Sequence, residues 1–325
     1  MGGRSLSASD APASASGAGL FQTLAGKAGA VGLRALRGRT LDASIRRGAA
    51  LGRAYFRAGG PRVSDGRVNL RIAFPEWSEA RRAAVLRAAL ENLGRSLAEF
   101  ACLGDESDDA LRARVRVEGL EHLTAAWAPD REPPTGVIVL TAHLGNWELL
   151  ARAMAAHGYP LTVVHRGRDN PLMERLVTGA RTTEGSELLT RGNAARGALR
   201  ALRTGRFLAM PYDQNCSRKE GVFAPFFGRL AASRVTPIRL AAKTRAPILP
   251  VFIEREADGI DHVCHVRPVL ELATDDADPG GAIVENARRM NRVLEDEIRR
   301  IPEQWIWTHR RWKTQPPGEP RPPYA

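Results

Sequence analysis

His143 and Glu148 are the residues best placed by type and spacing to do chemistry. His143 follows the apolar run Val137–Leu140, which reads as a strand buried on both faces. Ligands of open α/β sheets bind beyond the carboxyl ends of such strands. An imidazole, with an ordinary pKa of about 6.5, suits proton transfer near neutrality. Glu148 comes five positions later. On one regular helix of about 3.6 residues per turn, that spacing would separate the two side chains. They meet only if His143 lies in the turn before a helix and Glu148 in its first turns. Gly145 and Asn146 are the residues for such a turn. Glu148 would then orient His143 and stabilise its charged form. No Ser or Cys stands beside His143 as a nucleophile, so the attacking group must come from the substrate, which points to direct group transfer. The spacing alone is weak; the rest of the chain has to decide.

Other chemistries find less support. Cys102, Cys216 and Cys264 are too widely spaced for a metal or disulfide pattern. His262 and His265 flank Cys264 on an expected strand, and His122 and His157 stand apart, so no metal set is expected. No Gly-rich phosphate loop is present, and no cofactor is implied. The formal charge of +12 comes almost entirely from Arg, since Lys27, Lys219, Lys243 and Lys313 are the only lysines. Nucleic acid, anionic headgroups and acidic carrier proteins all attract such a surface, and a generally basic solvated surface is the bland reading. Zinc-ligand spacing, an RNA-recognition aromatic motif and a helix-turn-helix are missing, which argues against nucleic acid.

The elements that must hold the pair read as α/β. Ser78 caps a helix with Glu79 in its first turn and an apolar stripe from Ala83 to Phe100. Strands are expected at Val137–Leu140, Leu161–His165, Phe207–Tyr212, Ile248–Glu254 and Val263–Leu270. Helices are expected after Trp147, from Asn170 to Arg181, and over Asn193–Leu202, Pro237–Lys243 and Gly281–Arg300. A loop is expected from Asp213 to Gly228. The alternation implies a central, mostly parallel sheet flanked by helices. Residues 1–19 read as a flexible leader without a secretory apolar core, so the body is expected on the cytoplasmic side. Residues 20–60 mix apolar and cationic positions, as in a helix lying in a membrane interface or one packed on the domain. No apolar run reaches the roughly 20 residues that cross a bilayer. Residues 61–315 form the main domain, and 316–325 a Pro-rich tail.

Three blocks, in order, carry a resemblance. His143-Leu144-Gly145-Asn146-Trp147-Glu148 resembles the H-x4-[DE] block of the lysophospholipid acyltransferase superfamily. Its Glu form is similar to the late acyltransferases of lipid A biosynthesis. That branch also carries an Asp-Gln pair and a Gly-Val-Phe…Phe-Phe-Gly segment, here Asp213-Gln214 and Gly221–Gly228. Its C-terminal block is matched by Pro302-Glu303-Gln304-Trp305 through His309-Arg310-Arg311-Trp312-Lys313. Asn69-Leu70 and Phe74-Pro75-Glu76 resemble its N-terminal helical region, and the match spans about residues 65–315. Two departures stand out: a weaker hydrophobic anchor before residue 60, and Ala231-Ala232-Ser233 with Thr236-Pro237 where relatives carry Ala-x-Thr and Gly-Pro.

The resemblance implies an acyl thioester donor on acyl carrier protein and a hydroxyl acceptor on a lipid A precursor, at the cytoplasmic face of the bacterial inner membrane. It implies His143 as base and Glu148 as its holder. Arg166, Arg181, Asp213 and Gln214 are its candidate acceptor-binding positions, with surface charge and a satisfied loop carboxylate as the bland readings. Phe223, Phe226 and Phe227 suit an acyl channel, a membrane-facing rim or a loop packed on the core. Trp305, Trp307 and Trp312 suit an interfacial edge or simple docking of the C-terminus. Another glycolipid or a lysophospholipid as acceptor, and a catalytically silent lipid-binding or nucleic-acid-binding protein, are the competing functions.

Overall fold

The first helices touch through glycine. In the computed structural model, which describes residues 27–318 and 323–324 apart from 129–131, 133, 160, 166–185, 191–193 and 276, the first four helices come ahead of a short fifth that leads into the sheet. They are α1 (Lys27–Leu36), α2 (Leu41–Ala58), α3 (Pro61–Ala73) and α4 (Glu79–Cys102). The Thr40 hydroxyl caps α2 by accepting from the Ala43 N–H, and Ser78 caps α4 through the Arg81 N–H. A Cβ at Gly48 would stand 2.2 Å from the Gly94 carbonyl oxygen, and one at Gly52 2.1 Å from that of Leu90, so α2 and α4 cross backbone to backbone. The helical segment expected before residue 58 is thus two helices in its described part, with Ile45 and Ala49 buried and Leu51 exposed. No helix among the described residues is long and apolar enough to cross a membrane.

The sheet follows. In chain order come α5 (Asp108–Arg114), β1 (Val115–Glu118), α6 (Leu120–Ala126), β2 (Val137–Thr141), α7 (Trp147–Ala156), β3 (Leu161–His165), β4 (Glu187–Thr190), α8 (Ala194–Arg203) and β5 (Phe207–Pro211). Then follow β6 (Gly221–Phe226), β7 (Arg229–Arg234), α9 (Thr236–Thr244), β8 (Ile248–Arg255), β9 (His262–Val266) and α10 (Pro279–Arg300). Seven strands order as β1-β9-β8-β2-β5-β3-β4. All neighbours are parallel except β8 and β9, so β9 and β1 run against the other five. The fully apolar β2 is explained by its central place. Ile138 and Leu140 belong to one core cluster with Met290, Leu294 and Ile298 of α10, while Val137 and Val139 belong to a second with Leu149 and Ala153 of α7. This is the mostly parallel α/β sheet expected from the alternation.

Several boundaries moved. The expected Asp213–Gly228 loop contains β6, which pairs antiparallel with β7. Phe227 and Gly228 form the turn, both with positive φ, as a tight hairpin requires. Pro225 within the strand had disguised it. The last expected strand stops at Val266, just before Pro268, which has no N–H to donate. Strands β1 and β4 are four residues each, too short to show a period. The helix expected from Asn170 to Arg181 lies outside the described residues.

Candidate active site

Parallel register builds this site. Strands β2 and β5 are neighbours with Thr141 opposite Pro211, and the Tyr212 N–H donates to the Thr141 carbonyl at 2.9 Å. Two residues past those paired strand ends stand His143 and Asp213. The His143 backbone N–H donates to Asp213 Oδ2 at 3.0 Å, and its Nδ1 lies 2.8 Å from Oδ1. The Trp305 indole N–H donates to Oδ2 at 2.8 Å. Asp213 is buried, and burial pushes its carboxyl up. The His143 ring and the Trp305 and backbone N–H groups outweigh this and hold it down at about 2. An ionised Asp213 fixes the tautomer, so Nδ1 carries the proton and Nε2 keeps a lone pair. The Gln214 amide donates to that Nε2 at 3.0 Å.

The turn expected between His143 and Glu148 is present. Gly145 has φ +62°, and any Cβ there would sit 1.9 Å from the Ile253 carbonyl oxygen. Asn146 caps α7 by accepting from the Leu149 N–H at 3.3 Å. Glu148 is therefore the second residue of α7, buried near the helix N-terminus where a carboxylate is favoured. His143 and Glu148 both line one cavity of about 160 Å³, with Thr141, Trp147 and the apolar Val139, Leu150, Met154, Leu161 and Val163. The Trp147 ring meets the His143 ring edge-on, centroids 4.8 Å apart. The pair expected from spacing thus shares a cavity, but the carboxylate on Nδ1 is Asp213.

The remaining expected positions are distributed. Arg166 and Arg181 lie outside the described residues. Phe226 is fully buried against Trp305, Trp312 and Phe227, on the core side rather than in the cavity wall. Phe223 is half-buried on β6. Trp305, Trp307 and Trp312 are all buried, which is docking of the C-terminus. That docking serves the site: Leu144 bridges to Trp305, and the Ile306 N–H donates to the His143 carbonyl at 3.2 Å. Nε2 of His309 accepts from the Asn215 N–H at 2.8 Å, holding the loop after Gln214.

Comparison with known proteins settles the lineage. Residues 21–314 match the model of the bacterial lipid A biosynthesis acyltransferase family. The chain belongs to this family. A lipid A biosynthesis palmitoleoyltransferase of Escherichia coli (strain K12) is 33% identical over 260 residues, 79% of this chain and 81% of that protein. The lauroyltransferase of the same organism is 30% identical over 277 residues (85% and 87%), and its myristoyltransferase 28% over 278 residues (84% and 82%). The protein is thus an acyltransferase of lipid A biosynthesis.

Sequence reading missed a polar stripe in this acyltransferase. Asn92, Ser96 and Glu99 of α4 are buried at helical spacing, inside what reads as an apolar face. That spacing was the signal that could have revealed them. Burial raises the Glu99 carboxyl, but Arg255, His262 and Arg114 overcome it and hold it at about 2. Burial lowers His262 and His309 to about 3.

These shifts make the acyltransferase acid-labile. Buried neutral imidazoles bind no proton until about pH 3, whereas unfolded ones bind it from about 6.5. Stability is therefore lost as pH falls below about 6.5. The depressed Glu99 and Asp213 carboxyls contribute stability above their ordinary values of 4.5 and 3.8, lost as pH falls toward about 2. Urea midpoints are expected to fall between pH 7.5 and 6, and more steeply below about 4.5. A midpoint that rises on acidification would refute this assignment.

Proposed function

We propose that the acyltransferase moves a fatty acyl chain from an acyl-carrier-protein thioester to a hydroxyl of a lipid A precursor, at the cytoplasmic face of the bacterial inner membrane. The observation that carries this reading is a tautomer-fixed imidazole at the polar end of an apolar cavity. His143 Nε2 takes the acceptor hydroxyl proton as that oxygen attacks the thioester carbonyl. Gln214 yields Nε2 to the hydroxyl. The C–O bond forms, the C–S bond breaks, and the proton passes from His143 to the departing thiolate. Asp213 orients the ring and stabilises the imidazolium, and Glu148, in the same cavity wall, adds negative charge. Arg166 and Arg181 are proposed to bind acceptor phosphate. The +12 charge, and the apolar and cationic helices before residue 60, suit an anionic membrane surface and an acidic carrier.

The test is a transfer assay with purified protein and labelled acyl-carrier-protein thioesters. A tetra-acylated lipid A precursor and a lysophospholipid serve as parallel acceptors. Labelled lipid A product supports the proposal. Product only from the lysophospholipid replaces the acceptor, and product only from acyl-coenzyme A replaces the donor.

Chain length is open to a sharper test, because the relatives differ in acyl group by name. A cavity of about 150 Å³ takes a benzene-sized group, so a space of about 160 Å³ holds only part of a long chain. Met154 lines this cavity and also a second, much smaller apolar one with Val117, Leu123, Cys264 and Val266. Met154→Ala joins the two. The expected result is a shift of about tenfold in relative kcat/KM toward longer donors, the scale of a methylene or two in an apolar pocket. Competition among donors of different length reads it, and an unchanged ratio removes Met154 from selection.

A further inference from the structure

We infer that Glu99 is a positioning residue for acyl transfer, acting through Asn146 on the turn that joins His143 to Glu148. The inference rests on His143 and Glu148 being the catalytic residues. Glu99 is fully buried on α4, in the helical layer, and its Oε2 accepts from Asn146 Nδ2 at 2.8 Å. The same carboxylate accepts from Arg255 Nη2, and from Arg114 Nη1 at 3.2 Å. Asn146 is itself buried and uses its other atom, Oδ1, to cap α7. One side chain thus ties a carboxylate in the helical layer to the first turn of the helix that carries Glu148.

The neighbours hold the same turn. Asn92 Nδ2 and Ser96 Oγ each donate to the Gly145 carbonyl at 3.3 Å. Arg255 Nε donates to Asn92 Oδ1 at 2.9 Å. The Gly145 N–H donates to the Gln304 carbonyl at 3.0 Å, and the Gln304 amide is paired in turn with the Arg255 backbone. None of Asn92, Ser96, Glu99 or Arg255 lines the reaction cavity.

Simple ballast does not account for this arrangement. Two guanidinium groups already neutralise Glu99. An Asp or Ser would cap α7 as well as Asn does. Only the Nδ2 bond to Glu99 requires an amide at position 146. Its effect is to fix where α7 starts relative to β2, and so the placing of Glu148 against His143.

The test exploits the isostere. Asn146→Asp keeps the capping oxygen and sets a second carboxylate against Glu99, so the pair must share a proton. The expected result in the transfer assay is a kcat about 100-fold lower with KM within twofold, since a misplacement of about 1 Å costs that much. The loss should shrink as pH is lowered from 8 to 6, a falling limb that the parent lacks. Glu99→Gln with Asn146→Asp exchanges donor and acceptor, and is expected to restore kcat to within about threefold and to abolish the limb. Asn146→Ser, which keeps the cap without adding charge, should lower kcat about tenfold at unchanged KM. Parental kcat in Asn146→Ser, or a double variant no better than Asn146→Asp, overturns the inference. His143→Ala run alongside separates the readings. Transfer lost there but intact in the Asn146 variants overturns Glu99 alone; transfer that survives His143→Ala overturns both.

Discussion

His143→Ala is expected to lower kcat for acyl transfer by about 10²–10⁴-fold, the usual contribution of a positioned general base. The side chain is 17% exposed and lies past the C-terminal end of β2 rather than in the core, so its removal should leave the fold intact. KM for the acyl donor should change little, because the apolar cavity walls remain. The measurement is single-turnover transfer at saturating donor and acceptor. Circular dichroism and the urea midpoint confirm that the variant is folded. A variant within tenfold of the parent would remove the base from His143.

Asp213→Asn is expected to be comparably damaging, about 10³–10⁴-fold in kcat, by a different route. The carboxylate accepts three hydrogen bonds: from the His143 ring, the His143 backbone and the Trp305 indole. An amide of the same shape accepts through one atom only. Its NH₂ must face a donor, or face Nδ1 and drive the ring proton to Nε2. In that tautomer Nε2 has no lone pair for the acceptor hydroxyl. In serine-protease triads the corresponding change costs about 10⁴-fold for this reason. The readout is kcat at saturating donor and acceptor, with the urea midpoint to confirm that the variant is folded. Glu148→Gln belongs in the same experiment. If it abolishes transfer while Asp213→Asn stays within tenfold, Glu148 holds the imidazole, as the family resemblance implies. The reverse outcome assigns that task to Asp213.

Much of the scaffold was legible because it is encoded locally. The apolar run 137–140, the Ser78 cap and the Gly145-Asn146 turn each depend on neighbours a few residues away, and each appears where expected. The hairpin of β6 and β7 did not, since Pro and Gly inside a strand carry a loop's composition. Asp213 and Gln214 stood out only as a motif. Their contact with His143 follows from β2 lying beside β5, across about seventy residues of chain.

The sequence by itself determined the chemistry on offer: an imidazole after a buried strand, a carboxylate in the next helix, and no protein nucleophile beside them. It also determined the family, through three ordered blocks. Tertiary structure alone decided which carboxylate meets the imidazole and what holds the turn beneath it. Strand neighbours are chosen by how a whole sheet buries its two faces, and a polar stripe within an apolar helix finds its partners only when that helix packs. Neither choice is recorded in local spacing.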